Sequence, residues 1–337
     1  MTGTSTKVIS KPQVVAGFQL ARLRDFALLP VIAVLLVVGW IVDPSVFLTP
    51  GNLTNVAQQQ TELALLVLAE AMILISGKFD LSLESTVALA PALAVALVIP
   101  VSAGGLGTGW PTVLAIPLCL LAGVLVGAFN GLLILRFRLS AFIVTLAMLI
   151  VLRGLHIEIT GGRSLFELPQ SVFYLGNAVW LDVPASIWLA GLLFGAAMAV
   201  LGFHRHGRAV YAIGGNTEAA RAAGIRTDRV VWVVFMVGGL LAALAGLLMT
   251  GRLGSVAAAQ GQGMIFTVFA AAVIGGVSLD GGKGTLFGAL CGVIVLGLTT
   301  NILTLAGVSA ERIQAIYGSI ILAALILARL TTGKAQD

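Results

Sequence analysis

HRHGRAV YAIGGNTEAA RAAGIRTDR, residues 204–229, interrupts an otherwise oily chain and carries Arg205, Arg208, Arg221, Arg226 and Arg229 against only Glu218 and Asp228. Apolar runs flank it at 186–203 and 230–250, each near the ~20 residues that a membrane-crossing helix needs. The stretch is therefore a basic loop between two membrane spans. Its middle predicts one short helix. Asn216 is suited to the N-cap, Glu218 places a negative charge in the first turn, and Gly224 can take the left-handed conformation that ends it. Such an element is either a handle for another protein or an ordinary solvated loop whose arginines serve topology, and the residues alone leave both readings open.

Hydrophobic residues make up 59% of the 337 and charged residues 10%, well below the roughly 25% charge of soluble domains, which makes the protein an integral membrane protein. The net charge of +5 is accounted for by cytoplasmic loops, and no nucleic-acid module is visible. Cys119 and Cys291 lie inside apolar runs and read as small core residues. The three histidines, two of them flanking Arg205, do not form a metal set, so no metal is expected. Gly282-Lys283 is followed by Gly284, and the pattern required of a phosphate-binding loop is absent; ATP is not bound by that device. The apolar run 26–42 ends in Asp43-Pro44 without a cleavage signature and reads as an uncleaved first span.

Ten stretches meet the length and hydropathy of spans: 26–42, 62–77, 85–101, 112–135, 140–159, 186–203, 230–250, 264–280, 285–304 and 313–329. With the N-terminus cytoplasmic, fifteen of the nineteen Lys and Arg fall inside, and only Arg153, Arg163, Arg252 and Arg312 fall outside. This asymmetry predicts an all-α polytopic fold of about ten transmembrane helices with both termini cytoplasmic. The expected organisation is a tail at 1–25, one transmembrane domain at 26–329 containing the loop 204–229, and a tail at 330–337. Trp40, Trp110, Trp180 and Trp188 fall near the outer boundary, and 161–184 is a long external segment fit to lie on the surface.

Two stretches break the apolar pattern: SGKFDLSLES at 76–85, after the second span, and GGVSLDGGKGT at 275–285, after the eighth. Each reads as a re-entrant or broken segment near a pathway, or as a tight cytoplasmic hairpin. Their surroundings, 73–89 and 273–290, share a faint pattern, as a repeat relic or chance resemblance would. Ionisable groups inside spans are costly, so Glu70 and the Arg153, His156, Glu158 group are functional candidates, the latter also explicable as snorkelling or pairing near the outer interface. Asn130 and Asn301 fit interhelical hydrogen bonding.

Four stretches resemble one family, the permease subunits of bacterial ABC importers for monosaccharides of the ribose, xylose, galactose and autoinducer-2 type, within the branched-chain amino-acid/sugar permease superfamily. They are GKFDLSLESTVAL (77–89), AFIVTLAMLIVLRGL (141–155), GRAV YAIGGNTEAA RAAGI (207–225) and VIGGVSLDGGKGTLFGALCGVIVLGLTTN (273–301). The resemblance runs from about residue 52 to 327, with Lys78 and Glu84 where small residues or glycine are usual. It implies a bacterial inner-membrane subunit that is not an enzyme and has no cofactor of its own. The implied partners are a second permease (identical or not), two cytoplasmic ATPases that bind ATP and Mg, a periplasmic solute-binding protein, and the lipid bilayer. It assigns ATPase coupling to Gly215, Asn216, Glu218, Ala219, Ala220, Arg221 and Gly224, the flanking arginines meeting the ATPase surface. The expected translocation pathway involves Glu70, Phe79, Asp80, Ser82, Asn130, Thr145 and Asn301. Two alternatives stay open: an ion-coupled secondary transporter using Glu70, Asp80 and Glu84, and a membrane enzyme acting on lipid-linked substrates through Asp80 and Asp280.

Overall fold

The computed structural model describes residues 26–313, 315–319 and 322. The expected tails at 1–25 and 330–337, and most of the tenth span at 313–329, lie outside the described residues. Helix α1 (Leu29–Val42) starts with Pro30 in its first turn, where a missing N–H costs nothing. Helix α2 (Pro50–Ile75) is capped by Thr49 and also starts on proline. It begins twelve residues before the expected span 62–77, because its first turns are rich in Asn and Gln and read as loop by hydropathy. Every residue from Thr61 to Ile75 is buried, the signature of a helix surrounded by protein on all sides.

Around it stand α3 (Leu83–Val98), α4 (Ala115–Arg136), α5 (Ala141–Thr160), the short surface helix α6 (Gln170–Asn177), α7 (Ala185–Phe203), α8 (Arg205–Gly215), α9 (Thr217–Ala222), α10 (Thr227–Leu253), α11 (Met264–Ile274) and α12 (Leu286–Leu305). Among the described residues, five helices are long and apolar enough to cross a membrane (Thr112–Arg136, Ala141–Thr160, Ala185–Phe203, Thr227–Leu253 and Leu286–Leu305), and Leu29–Val42, Leu83–Val98 and Met264–Ile274 are shorter apolar helices. Helices α2, α3 and α10 form the centre. Helices α4, α5 and α7 turn bulky apolar side chains outward, among them Leu125, Phe129, Ile143, Ile150 and Leu192. In water that surface would be anomalous, but in hydrocarbon it matches the solvent.

Glycine sets the central contacts. Gly123 and Gly127, one turn apart on α4, face Gly239 and Phe235 of α10 so closely that a Cβ on Gly239 would stand 2.0 Å from the Gly123 carbonyl oxygen. Lipid gives helices no hydrophobic reason to associate, so backbone-to-backbone packing of this kind supplies the attraction. On the other side, Gly288 and Gly292 of α12 seat against Gly275 and Ala271 at the end of α11.

At 1.5 Å per residue, α3 spans about 24 Å and α11 about 17 Å, short of the ~30 Å hydrocarbon core. Non-helical segments at 76–82, 254–263 and 275–285 adjoin these two helices. The first and third are the expected breaks, and the expected span 264–280 is corrected to a helix that stops at Ile274. The two breaks open alike: Gly77 (φ 78°) and Gly276 (φ 80°) are left-handed, with Lys78 N–H bonded to Ile73 C=O and Val277 N–H to Ala272 C=O. The faint sequence likeness thus coincides with one shared helix-ending geometry. The middle segment has no counterpart among the expected breaks. It is held by Gln260, whose buried amide donates to the Val87 and Gly246 carbonyls at 2.9 and 3.2 Å and accepts from Ala257 N–H, which satisfies backbone that membrane depth would otherwise strand.

Candidate translocation and coupling sites

The basic loop folds as two helices where the sequence suggests one. In α8 the side that buries Gly207, Ala209, Val210 and Ile213 lies on the protein, and its arginines face out. Asn216 then caps α9, its Oδ1 accepting from Ala219 N–H at 2.9 Å. Ala220 is buried beneath α9, whereas Glu218, Ala219 and Arg221 are exposed. Arg221 bridges Glu218 at 3.2 Å and Asp228 at 3.5 Å, which joins the short helix to the start of α10. Gly224 is left-handed at φ 82° and turns the chain away.

The glycine pair that ends α8 touches both helix breaks. A Cβ on Gly214 would lie 1.8 Å from Ile75 O and 2.5 Å from Gly282 N, so only hydrogen fits there. Gly282 N–H itself donates to Ile75 C=O at 2.9 Å. A Cβ on Gly281 would meet Gly77 Cα at 2.7 Å and Gly214 O at 2.9 Å. Tyr211 of α8 adds a hydrogen bond from its hydroxyl to Gly284 O at 3.0 Å. Three backbones therefore meet with no side chain between them. Sequence reasoning misses Gly214 because nothing in the chain announces which of two adjacent glycines is the crowded one. Gly215, the expected residue, has nothing within 4 Å of a built Cβ.

Four of the seven expected pathway residues come together. Glu70 is wholly buried, and its Oε1 accepts from Asp80 N–H at 3.4 Å. Asp80 Oδ1 accepts from Ser82 N–H and Oγ–H at 2.9 and 2.6 Å, and Asn130 Nδ2 donates to Ser82 Oγ at 2.7 Å. Glu70 Oε2 and Asn130 Oδ1 have no partner among the described residues, so the cluster keeps spare acceptor capacity at the centre of the fold. Phe79, half-buried, packs its ring 6.1 Å from that of Phe269. Thr145 is buried on α5 and bonds within its own helix to Ala141 O at 2.8 Å. Asn301 lies elsewhere, exchanging amide bonds of 3.0 Å with Asn52 and so tying α12 to α2.

Glu84 is separated from Glu70 and Asp80 chemically. Its Oε1 pairs with Arg153 Nη2 at 3.4 Å and its Oε2 accepts from Ile265 N–H at 3.2 Å, while Arg153 Nη1 donates to Gln260 O at 2.8 Å. His156 is buried one turn away, with Nε2 3.1 Å from Ala258 O. Arg153 and His156 thus pin the middle segment, which is the pairing alternative of the sequence reading; Glu158 is exposed and joins neither. Arg252, counted as an outer charge, pairs with buried Glu62 of α2 at 2.7 Å. Sequence reasoning also misses Glu62, which sits in a Gln-rich run that hydropathy assigns to the span edge. Asp280 is exposed and Asp80 buried.

Residues 52–330 match the family described as branched-chain amino acid transport system / permease component. The chain is 34% identical over 322 residues to the Ribose import permease protein RbsC of Escherichia coli strain K12, covering 94% of this chain and 98% of that protein. It is 35% identical over 298 residues to the same-named protein of Bacillus subtilis strain 168, covering 88% and 90%. With the Autoinducer 2 import system permease protein LsrC of Yersinia enterocolitica it shares 32% over 300 residues, covering 89% and 81%.

Proposed function

Because the chain belongs to this family of transport-system permease components, a multi-pass membrane transporter family, we propose that it is the permease subunit of a binding-protein-dependent ABC importer. In this reading it carries a sugar or sugar-like polar solute across the bacterial inner membrane. Two partner ATPases bind ATP and Mg, a second permease completes the pathway, and a periplasmic binding protein delivers the solute. Energy then arrives from outside the chain and must enter mechanically. The observation that carries the reading is the glycine seat: the end of α8, at the basic end of the molecule and directly before α9, rests on both breaks in the spanning helices. A displacement of α9 by an ATPase would shift 76–82 against 275–285, and with them the Glu70, Asp80, Ser82, Asn130 cluster that the first break anchors. Spare oxygens in that cluster suit hydroxyl donors on a sugar.

Reconstitution in proteoliposomes tests the proposal. Uptake of labelled ribose or a related pentose should require ATP, the ATPase partners and the binding protein. Uptake that continues without the ATPases and collapses with an ionophore would replace it by the ion-coupled reading. Turnover of a lipid-linked substrate by the purified chain would replace it by the enzyme.

A further inference from the structure

An open apolar trough of about 1310 Å³ lies between α7 and α10, with Leu68 and Met72 of α2 as its floor. Leu193, Ala197 and Val200 form one wall, and Val233, Val237 and Leu241 the other. One end is different in kind: Arg205 and Arg208 from the first turn of α8, and Arg226 and Arg229 around the start of α10, line the mouth. All four arginines are exposed, and among the described residues none of them pairs with a carboxylate. Two helix N-termini, of α8 and α10, open at the same mouth, which adds partial positive charge from the helix dipoles, although His206 N–H and Thr227 N–H are bonded locally and Asp228 lies in the first turn of α10.

We infer that the trough is a binding site for an anionic phospholipid, with its phosphate on the arginine mouth and its acyl chains between α7 and α10. The dimensions agree. Leu241 is twelve residues beyond Arg229, about 18 Å along the helix, close to the ~15 Å of one leaflet's hydrocarbon. The volume exceeds the roughly 300–1,000 Å³ of small-solute pockets, and the walls carry no polar groups that could orient a sugar. Basic pockets between spanning helices on the cytoplasmic side are where acidic headgroups settle. The terminal segments of this chain suit the mouth poorly: residues 320–337 bring Arg329 and Lys334 against Asp337, and residues 1–25 bring Lys7, Lys11, Arg22 and Arg24 against Asp25. A lipid held here would pack α7, α8 and α10 together and so steady the base on which α9 rests.

The leaflet assignment rests on the reading that α8 and α9 face the cytoplasm; the site itself does not. Full-length protein in its native assembly, released in polymer nanodiscs, should retain phosphatidylglycerol over phosphatidylethanolamine by about tenfold or more, scored by mass spectrometry of bound lipid. Arg226→Gln with Arg229→Gln should remove most of that preference, and the two Arg→Lys changes should keep it. Ala197→Trp, which fills the trough and leaves the arginines, should expel the lipid, and millimolar inorganic phosphate should not displace it. Equal retention of both lipids, unchanged retention in Ala197→Trp, displacement by phosphate, or capture of a protein segment by a photo-crosslinker placed at Val233 would each overturn the site. Labelling of Arg226→Cys by an impermeant thiol reagent from the periplasmic side would overturn the leaflet alone.

Discussion

The sharpest consequence of the glycine seat is the difference between two neighbouring glycines. In Gly214→Val the new Cβ starts 1.8 Å from Ile75 O and 2.5 Å from Gly282 N. Backbone must therefore retreat by roughly 1.5 Å to reach ordinary van der Waals contact. That retreat breaks the 2.9 Å bond from Gly282 N–H to Ile75 C=O, which joins the two helix breaks. An orphaned buried carbonyl costs about 1–3 kcal/mol and overpacking about 1–3 kcal/mol more, so the seat loses roughly 2–6 kcal/mol. This is a large loss for a contact of a few residues, and a modest one for the whole helical core. Gly215→Ala, at the last residue of α8, meets nothing within 4 Å. In proteoliposomes containing the ATPases and the binding protein, Gly214→Val should hydrolyse ATP while solute moved per ATP falls at least about tenfold, the loss expected when roughly 1.4 kcal/mol or more of coupling disappears. Gly215→Ala should stay within about twofold of wild type, as a surface substitution of under 0.5 kcal/mol would. Size-exclusion profiles establish that both variants are folded. Wild-type coupling in a folded Gly214→Val protein, or equal damage from the two substitutions, would refute the mechanical path.

Three further outcomes follow from the same geometry. Glu218→Lys breaks an exposed ion pair with Arg221 and leaves the thermal midpoint nearly unchanged, since such pairs contribute about 0–1 kcal/mol; recovery of the ATPase in a pull-down should nevertheless drop several-fold, and full recovery would mean that α9 is not the dock. Arg153→Met strands the buried Glu84 carboxylate and should destabilise by about 3–5 kcal/mol, whereas Arg153→Met with Glu84→Leu should recover most of that, read as thermal unfolding in detergent; additive effects would contradict a pairing role. Gly239→Leu drives a side chain into the Gly123 carbonyl and should abolish folded protein, while Gly154→Leu on the outer side of α5, with open space around it, should express normally.

Much of the architecture is legible in the residues alone, because hydropathy and helix-cap chemistry are local. Helices stand where residue type places the first, the third to seventh and the ninth spans, five of them long and apolar enough to cross a membrane, and so do the two breaks after Ile75 and Ile274, the Asn216 cap and the left-handed Gly224. Hydropathy shortens the second span because its first turns are rich in Asn and Gln, and these turns alternate between exposed and half-buried residues until burial begins at Thr61. The middle segment at 254–263 reads as a plain outer loop, since Gln260 signals depth only once Val87, Gly246 and Thr250 surround it.

Sequence by itself determined that the chain lives in a bilayer, which end of it is basic, where its helices break, and what family of transport permeases it belongs to. Tertiary structure decided the partners: Glu84 with Arg153, Glu62 with Arg252, Asn52 with Asn301, and Gly214 as the point where three backbones meet. The reason is physical. Transfer into lipid is summed residue by residue along the chain, whereas the cost of a buried charge or of an added Cβ depends on what another helix, a hundred residues away, places within 3 Å.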